Sequence, residues 1–326
     1  MDYVAFGRSG LKVSRLALGL GLRGQADERE AERLIRRAFD GGITLFDCAN
    51  VYGLTDDRRY AGRSEEILGR ALREVRDDVV ITSKVVSQVG RGPNDRGASR
   101  YHVMREVERS LRRLGTDRID VYLLHTFDAE TPLDEQLRAL DDLTRQGKIR
   151  YAGVCNYQAW QVMKALSSQE RLGAAPLITV QNPYSLLDRN LEREMFPLAR
   201  DTGLGVMAYS PLAVGLLSGA YDRDAPPPDG TLWARRGPER FKQALDGPRG
   251  ETLDAVQEIA QRTGATVAQI ALRWVLSRPE ITVAISGADT DAQMDENLGA
   301  LTARVSDEDL QRLTEVSEPA WPPRIA

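Results

Sequence analysis

Short runs of apolar, β-branched residues alternate with longer amphipathic stretches along this 326-residue chain. Eight of the short runs read as strands, at residues 16–20, 44–47, 79–83, 120–125, 151–154, 178–181, 205–210 and 282–286. They are nearly continuous in apolar residues, the pattern of strands covered on both faces. The stretches between them carry helical periodicity. Residues 27–41 set Leu34, Ile35, Ala38 and Phe39 on one stripe and stop at Gly41-Gly42. Ser64, with Glu65 and Glu66 behind it, predicts a capped helix start with acids at the positive end of the dipole. Residues 98–114 end on Gly115, and residues 133–146 follow Pro132 and end on Gly147.

Eight strand–helix pairs without a linker-like break predict an α/β chain whose parallel strands close into a (β/α)8 TIM barrel, one domain over residues 1–326. Two segments break the alternation. Residues 3–6 and 12–14, around Gly7-Arg-Ser-Gly10, predict an N-terminal β-hairpin that plugs the barrel floor. Residues 212–250 form a long loop after the seventh strand, with Pro226-Pro-Pro228 and Trp233-Ala-Arg-Arg236 in it. Loops of this length in compact domains are lids or binding loops.

Composition narrows the partners. With 44 basic and 48 acidic residues the net charge is -4 and no basic stripe is present, which argues against nucleic acid. No apolar run approaches the roughly 18 residues of a membrane helix, and the first residues lack a signal-peptide core, so a cytoplasmic protein is expected. Cys48 and Cys155 stand apart, with no Cys or His at ligand spacing, so no metal or disulfide is expected and both read as packing residues. Nothing in the pattern specifies an oligomeric state.

The chemistry gathers at strand ends. The run Ile119-Asp-Val-Tyr-Leu-Leu-His125 delivers one of only two histidines; the other, His102, lies in a polar helical stretch. Thr44-Leu-Phe-Asp-Cys-Ala-Asn-Val-Tyr-Gly53 runs into Asp47, with Tyr52 five positions later, and the strand at 79–83 stops on Lys84. C-terminal edges of parallel strands share one face, where sites form in such folds. A phenol titrates at about 10, so proton transfer near neutrality requires a neighbour that lowers it. Lys84 is expected to stabilise the phenolate of Tyr52, Asp47 to keep the ammonium charged, and His125 to bind a substrate oxygen and share the proton work. Such a set polarises a carbonyl and protonates it as a hydride reaches carbon. A Schiff-base role for Lys84 would instead require a lysine without Asp47 as counter-ion.

Seven segments carry a resemblance: Phe46-Asp-Cys-Ala-Asn-Val-Tyr-Gly53, Gly62-Arg-Ser-Glu-Glu-Ile-Leu-Gly69, Thr82-Ser-Lys84, Leu124-His125, Gly147-Lys-Ile-Arg-Tyr-Ala-Gly-Val-Cys-Asn156, Val180-Gln-Asn-Pro-Tyr184 and Ala208-Tyr-Ser-Pro-Leu212. Through them the chain resembles the aldo-keto reductases over nearly its whole length. That family binds a nicotinamide cofactor without a Gly-x-Gly-x-x-Gly loop, and no such loop stands here between a strand and a helix. The resemblance implies that Tyr52 is the general acid of carbonyl reduction, tuned by Lys84 and Asp47, with His125 orienting the carbonyl. It implies that Asn156 and Gln181 hold the nicotinamide carboxamide and that Tyr209 stacks on the ring. Ser210, Leu212 and Gly215 then match the pyrophosphate loop, and Ser286, Gly287, Ala288, Asp289, Gln293, Glu296 and Asn297 the segment around the adenosine.

Three departures bear on details. Cys155 stands where many relatives have serine, and Ala220 where lysine is frequent. In Ala288-Asp-Thr-Asp291 a carboxylate replaces the Arg or Lys common in relatives that prefer NADPH. NADP(H) is therefore the family default and NAD(H) the alternative, since Asp289 would repel a 2′-phosphate and accept from a 2′-hydroxyl. Arg235 or Arg236 offers a substitute cation. The substrate is expected to be a small carbonyl or alcohol in a pocket lined by Leu22, Arg23, Val51, Phe127 and the long loop, with Trp233 a candidate. A second reading is a cofactor-binding regulatory subunit, like the channel-associated members of the family. Its marks would be a damaged tetrad or a basic N-terminal extension, and neither is seen.

Overall fold

The computed structural model describes residues 1–320. β1 (Tyr3–Ala5) and β2 (Lys12–Ser14) pair antiparallel as the expected hairpin. The barrel strands are β3 (Leu16–Gly19), β4 (Leu45–Asp47), β5 (Val80–Val85), β6 (Ile119–Leu124), β7 (Ile149–Cys155), β8 (Leu177–Pro183), β9 (Gly205–Tyr209) and β10 (Ile281–Ser286). All pair in parallel, and β10 closes the ring against β3. Outside run α1 (Glu28–Asp40), α2 (Arg63–Ala71), α3 (Arg100–Leu114), α4 (Leu133–Arg145), α5 (Ala159–Leu172) and α6 (Met195–Thr202). Between β9 and β10 lie α7 (Leu232–Arg236), α8 (Pro238–Ala244), α9 (Pro248–Thr263) and α10 (Val267–Ser277); α11 (Asp291–Gly299) and α12 (Asp307–Val316) follow. The fold is a (β/α)8 TIM barrel.

Successive strand side chains point to opposite faces, and the apolar residues divide accordingly. Ala17, Leu45, Val80, Val121, Leu123, Met207, Val283 and Ile285 pack together inside the barrel. Leu18, Phe46, Ile81, Tyr122, Leu124, Val206 and Ala284 face the helices. Burial on both sides is why the strands read as unbroken apolar runs. Phe6 and Val13, both fully buried, join the interior set, so the hairpin seals the N-terminal end. Gly7 has φ +59°, and a Cβ there would lie 2.3 Å from the Ile178 carbonyl oxygen and 2.6 Å from the Gly205 nitrogen. Glycine is what lets the plug approach β8 and β9 so closely.

The structure corrects two local expectations. Ser64 does not cap α2: the cap position is Gly62, at φ +89°, and no side chain serves there. Instead the Tyr52 carbonyl accepts from the N–H groups of Gly62 (3.1 Å) and Ser64 (3.2 Å), while Ser64 Oγ donates to the Leu20 carbonyl at 2.8 Å. Neighbouring backbone satisfies this helix start, a tertiary arrangement invisible to local spacing. The long segment after β9 is also more ordered than a plain loop, with a 3-10 turn at Ala213–Gly215 followed by α7 and α8. Trp233 is buried, donates its indole N–H to the Val214 carbonyl at 3.1 Å and packs on Phe241. With Phe241 it joins the hydrophobic core shared by the barrel's outer face and the helices.

Candidate active site

Inward parity brings polar side chains to the C-terminal mouth. Leu45 is followed by Asp47 on β4, Val80 by Thr82 and Lys84 on β5, Leu123 by His125 just past β6, and Met207 by Tyr209 on β9. One level of the barrel interior thus changes from aliphatic to charged and polar. Tyr52 arrives from the β4–α2 loop, its carbonyl clamped at the start of α2.

These groups meet. Lys84 Nζ donates to Asp47 Oδ2 at 2.7 Å and to the Cys48 carbonyl at 2.9 Å, and lies 4.8 Å from the centroid of the Tyr52 ring. Asp47 Oδ1 accepts from Thr82 Oγ1 at 2.5 Å and from Gln181 Nε2 at 2.8 Å. The Tyr52 hydroxyl stands 3.4 Å from His125 Nε2, and Ser87 Oγ stands 3.3 Å from His125 Nδ1. Thr82 and Ser87 were not among the expected residues. Thr82 was legible in principle, because positions two apart on a strand share a face with Lys84. Ser87 follows the strained Val86 beyond β5 and leaves no periodic signal.

The electrostatics differ from expectation at the phenol. Burial pushes the Tyr52 phenol above its usual value, and the Lys84 ammonium only partly offsets this. Tyr52 is therefore a neutral acid near pH 7. Burial also opposes the charge on Lys84, yet Asp47 and then Tyr52 outweigh it and hold the ammonium well above its ordinary range. A lysine so paired is no free nucleophile, which removes the basis for the Schiff-base reading. His125 is lowered to about 3 by burial, with Lys84 and Arg58 adding to the effect, so its imidazole is neutral at physiological pH.

Among the described residues, seven non-glycines have positive φ: Leu22, Thr55, Val86, Asn156, Ser210, Ala213 and Val214. All seven follow the C-terminal end of a barrel strand. Each such residue costs on the order of 1–2 kcal/mol, and strain of this kind collects where ligands are gripped.

The residues matched to a cofactor join the same mouth. Asn156, at φ 58°, donates from Nδ2 to the His125 carbonyl at 2.9 Å and accepts from the Tyr209 hydroxyl at 2.7 Å. Gln181 bonds Asp47 through its amide nitrogen, and its oxygen meets the weak thiol donor of Cys155 at 3.5 Å. Cys155 is thus more than filler. Ser210, Leu212 and Gly215 lie on the strained stretch after β9. Ser286 ends β10, Gln293 accepts from the Asp289 N–H at 2.7 Å, and Asn297 donates to the Gly287 carbonyl at 3.0 Å, with Ala288 and Glu296 beside them. Amides next to the tetrad, a half-buried ring, strained backbone and the start of α11 fit the parts of a dinucleotide.

Asp289 lies against the turn at Gly24 and Gln25. A Cβ on Gly24 would lie 2.1 Å from its Oδ2, and Gln25 Nε2 donates to its carbonyl at 3.2 Å. Burial raises the Asp289 carboxyl above its usual value, against a bond from the Gly24 N–H that lowers it. The two expected substitute cations are held within the long segment: Arg235 donates to the Gly230 carbonyl at 3.1 Å, and Arg236 lies 4.7 Å over Trp233. Arg33 and Arg37 of α1 pair with Asp291 and Asp295 of α11.

Comparison with known proteins places this barrel in a class of oxidoreductases that use nicotinamide cofactors. Residues 15–318 match the Aldo/keto reductase family, and the chain is a member of it. It is 38% identical over 97% of its length to a Bacillus subtilis (strain 168) protein named "Uncharacterized oxidoreductase YrpG", covering 96% of that protein. It is 35% identical over 92% of its length to an Arabidopsis thaliana "Probable voltage-gated potassium channel subunit beta", covering 91% of it. With the "L-glyceraldehyde 3-phosphate reductase" of Escherichia coli (strain K12) it shares 33% identity over 92% of its length and 88% of the relative's. Among the described residues no helix is long and apolar enough to cross a membrane, and no cluster of His, Cys, Asp and Glu suits a metal ion.

Proposed function

We propose that this protein is an NAD(P)(H)-dependent aldo-keto reductase of the cytoplasm, acting as one barrel unit over residues 1–326 and reducing a small aldehyde or ketone to an alcohol, or the reverse. The observation that carries the proposal is the Tyr52 hydroxyl 3.4 Å from His125 Nε2, with the Asp47-bound ammonium of Lys84 beside its ring. The bound nicotinamide supplies the hydride. The chain supplies the proton and the orientation.

Tyr52, protonated at neutral pH, gives its hydroxyl proton to the carbonyl oxygen as that oxygen gains charge. The Lys84 ammonium stabilises the phenolate left behind, and Asp47 fixes the ammonium. Ser87 Oγ stands 3.3 Å from His125 Nδ1; with the hydroxyl as donor the imidazole proton would sit on Nε2, where it would hold the substrate oxygen. His125 thus orients without carrying charge. Asn156 and Gln181 would hold the carboxamide, Tyr209 the ring, Ser210, Leu212 and Gly215 the pyrophosphate, and Ser286, Gly287, Asp289, Gln293, Glu296 and Asn297 the adenosine end. NADP(H) is the family default. NAD(H) is the alternative that Asp289 favours.

Substrate enters beside Leu22, Arg23, Val51 and Phe127, the last edge-on to Tyr157 at 5.2 Å. The name of the Escherichia coli relative makes a phosphorylated aldose the first compound to try. Reduced nicotinamide absorbance is followed after adding a panel of carbonyls, with Tyr52→Phe alongside. The variant is expected to lose about 10²–10⁴-fold in kcat while binding cofactor normally. Retained turnover would refute the role of Tyr52. The Arabidopsis relative's name supports a second reading, a regulatory subunit acting through protein partners; wild-type protein inactive across the panel but able to bind cofactor would favour it.

A further inference from the structure

We propose that Glu106, on α3, is a positioning residue that fixes the Tyr52 loop through Asn50; this rests on the reading of Tyr52 as the proton donor. Between Asp47 and Tyr52 the chain leaves β4 and turns toward α2 through Cys48, Ala49, Asn50 and Val51. Backbone bonds tie the first half of this loop to β5, from Cys48 N–H to the Thr82 carbonyl at 2.9 Å and from Asn50 N–H to the Lys84 carbonyl at 3.3 Å. Tyr52 N–H reaches only the local Ala49 carbonyl, at 3.1 Å. The last tie to the barrel wall before the catalytic phenol is therefore Asn50.

Asn50 directs its side chain into the helix layer. Its Nδ2 donates to Glu106 Oε2 at 3.3 Å. Both residues are deeply buried, Asn50 at 2% exposure and Glu106 at 1%. The second carboxylate oxygen of Glu106 accepts from Arg109 Nη1 at 2.8 Å, with Arg105 Nε 3.6 Å away. Two cations on its own helix thus clamp the carboxylate and leave Oε2 aimed at the loop. Arg105 in turn donates to the Asn94 carbonyl and to Asp95 Oδ1, each at 2.8 Å. Asn94 and Asp95 belong to the β5–α3 connection that also carries Ser87, the partner of His125. One turn of α3 therefore holds the segments behind both the phenol and the imidazole.

Stability alone does not account for the arrangement. Asn50 Oδ1 is buried and has no hydrogen-bond partner among the described residues. A buried polar network that is only partly satisfied is poorer for stability than apolar packing of the same volume. What such a network supplies is direction. A hydrogen bond from a clamped carboxylate permits one position of the Asn50 amide, and Tyr52 follows two residues later. A misplacement of about 1 Å at a reacting group costs about a hundredfold in rate.

The test uses the full chain labelled with carbon-13 at tyrosine Cζ, as wild type and as Asn50→Ala, Glu106→Ala and Glu106→Gln, with Tyr52→Phe to identify the Tyr52 signal. In both alanine variants the Tyr52 signal and its titration are expected to move. Their kcat is expected to fall about 10- to 100-fold while KM and the affinity for nicotinamide cofactor stay near wild type. Glu106→Gln retains an oxygen that accepts from Asn50 and is expected to restore both readouts. If Glu106→Ala does not fold, Asn50→Ala, which leaves the carboxylate and its arginines intact, decides. The proposal is overturned if Asn50→Ala keeps the wild-type signal and kcat, or if kcat, cofactor affinity and thermal midpoint fall together with no rescue by glutamine. Should wild type reduce no carbonyl while the Tyr52 signal still moves in Asn50→Ala, positioning stands and the reductase reading falls.

Discussion

Replacing Lys84 by methionine removes one partner of a buried ion pair while keeping the side chain out to the position of Cε. The pair is dry: the lysine side chain is fully buried and that of Asp47 is 5% exposed, with Nζ and Oδ2 2.7 Å apart. At an effective dielectric of about 20, their gross attraction is about 6 kcal/mol. Much of that repays desolvation, and Thr82 and Gln181 would still bond the stranded carboxylate. Removing one member of such a pair costs about 3–5 kcal/mol, because the other charge remains buried and unpaired. For 326 residues, an unfolding entropy near 2.1 cal/mol/K per residue turns a loss of about 4 kcal/mol into a drop of about 6 °C in Tm. The second variant, Asp47→Asn with Lys84→Met, removes the stranded charge but keeps an oxygen facing Thr82 and Gln181. It is expected to regain most of the stability while remaining inactive. Thermal and urea unfolding of wild type, Lys84→Met, Asp47→Asn and the double variant completes the cycle. Lys84→Met within about 1 kcal/mol of wild type, or no recovery in the double variant, would refute the claim that a desolvated charge pair underlies the site.

The remaining predictions concern protons and the cofactor. With His125 held at about 3, carbonyl reduction should show no limb near pH 6.5 in kcat, and a limb there that disappears in His125→Gln would contradict the neutral-imidazole role. A histidine depressed in the folded state contributes stability that is present above the unfolded value of about 6.5 and lost as pH falls toward 3; urea melts across that window should show a smaller loss in His125→Gln. Because the Tyr52 phenol is raised, alcohol oxidation, which needs the phenolate as base, should climb with pH beyond about 10. Binding of NADH and NADPH, measured at one ionic strength, should shift about tenfold toward NADPH in Asp289→Ser, equivalent to about 1.4 kcal/mol. An unchanged ratio would mean that the contact with Gly24 already takes the carboxylate out of play.

Much of this molecule was legible because both of its periodicities are strict. The eight runs at predicted positions became β3 to β10 with shifts of one or two residues at their ends, since a strand buried on both faces is largely apolar away from the site. The hairpin was equally plain from its turn residues. Ser64 misled because a serine before two acids looks like a cap, whereas the start of α2 is satisfied by the Tyr52 carbonyl from a separate part of the site. The partners of Trp233 were not legible, because only packing brings Phe241 and the Val214 carbonyl to an aromatic on a long loop.

The chain order alone determined that an aspartate, a lysine and a histidine end consecutive strands and that a tyrosine follows the first, because strand parity and parallel pairing send such ends to one rim. Their distances were decided by closure of the ring, which sets neighbouring strands in register, Asp47 opposite Thr82 and Lys84 opposite Leu123. Burial then decided the proton positions. Desolvation depends on everything packed around a group, so the raised phenol of Tyr52, the neutral His125 and the Glu106–Asn50 contact exist only once helices and strands are assembled.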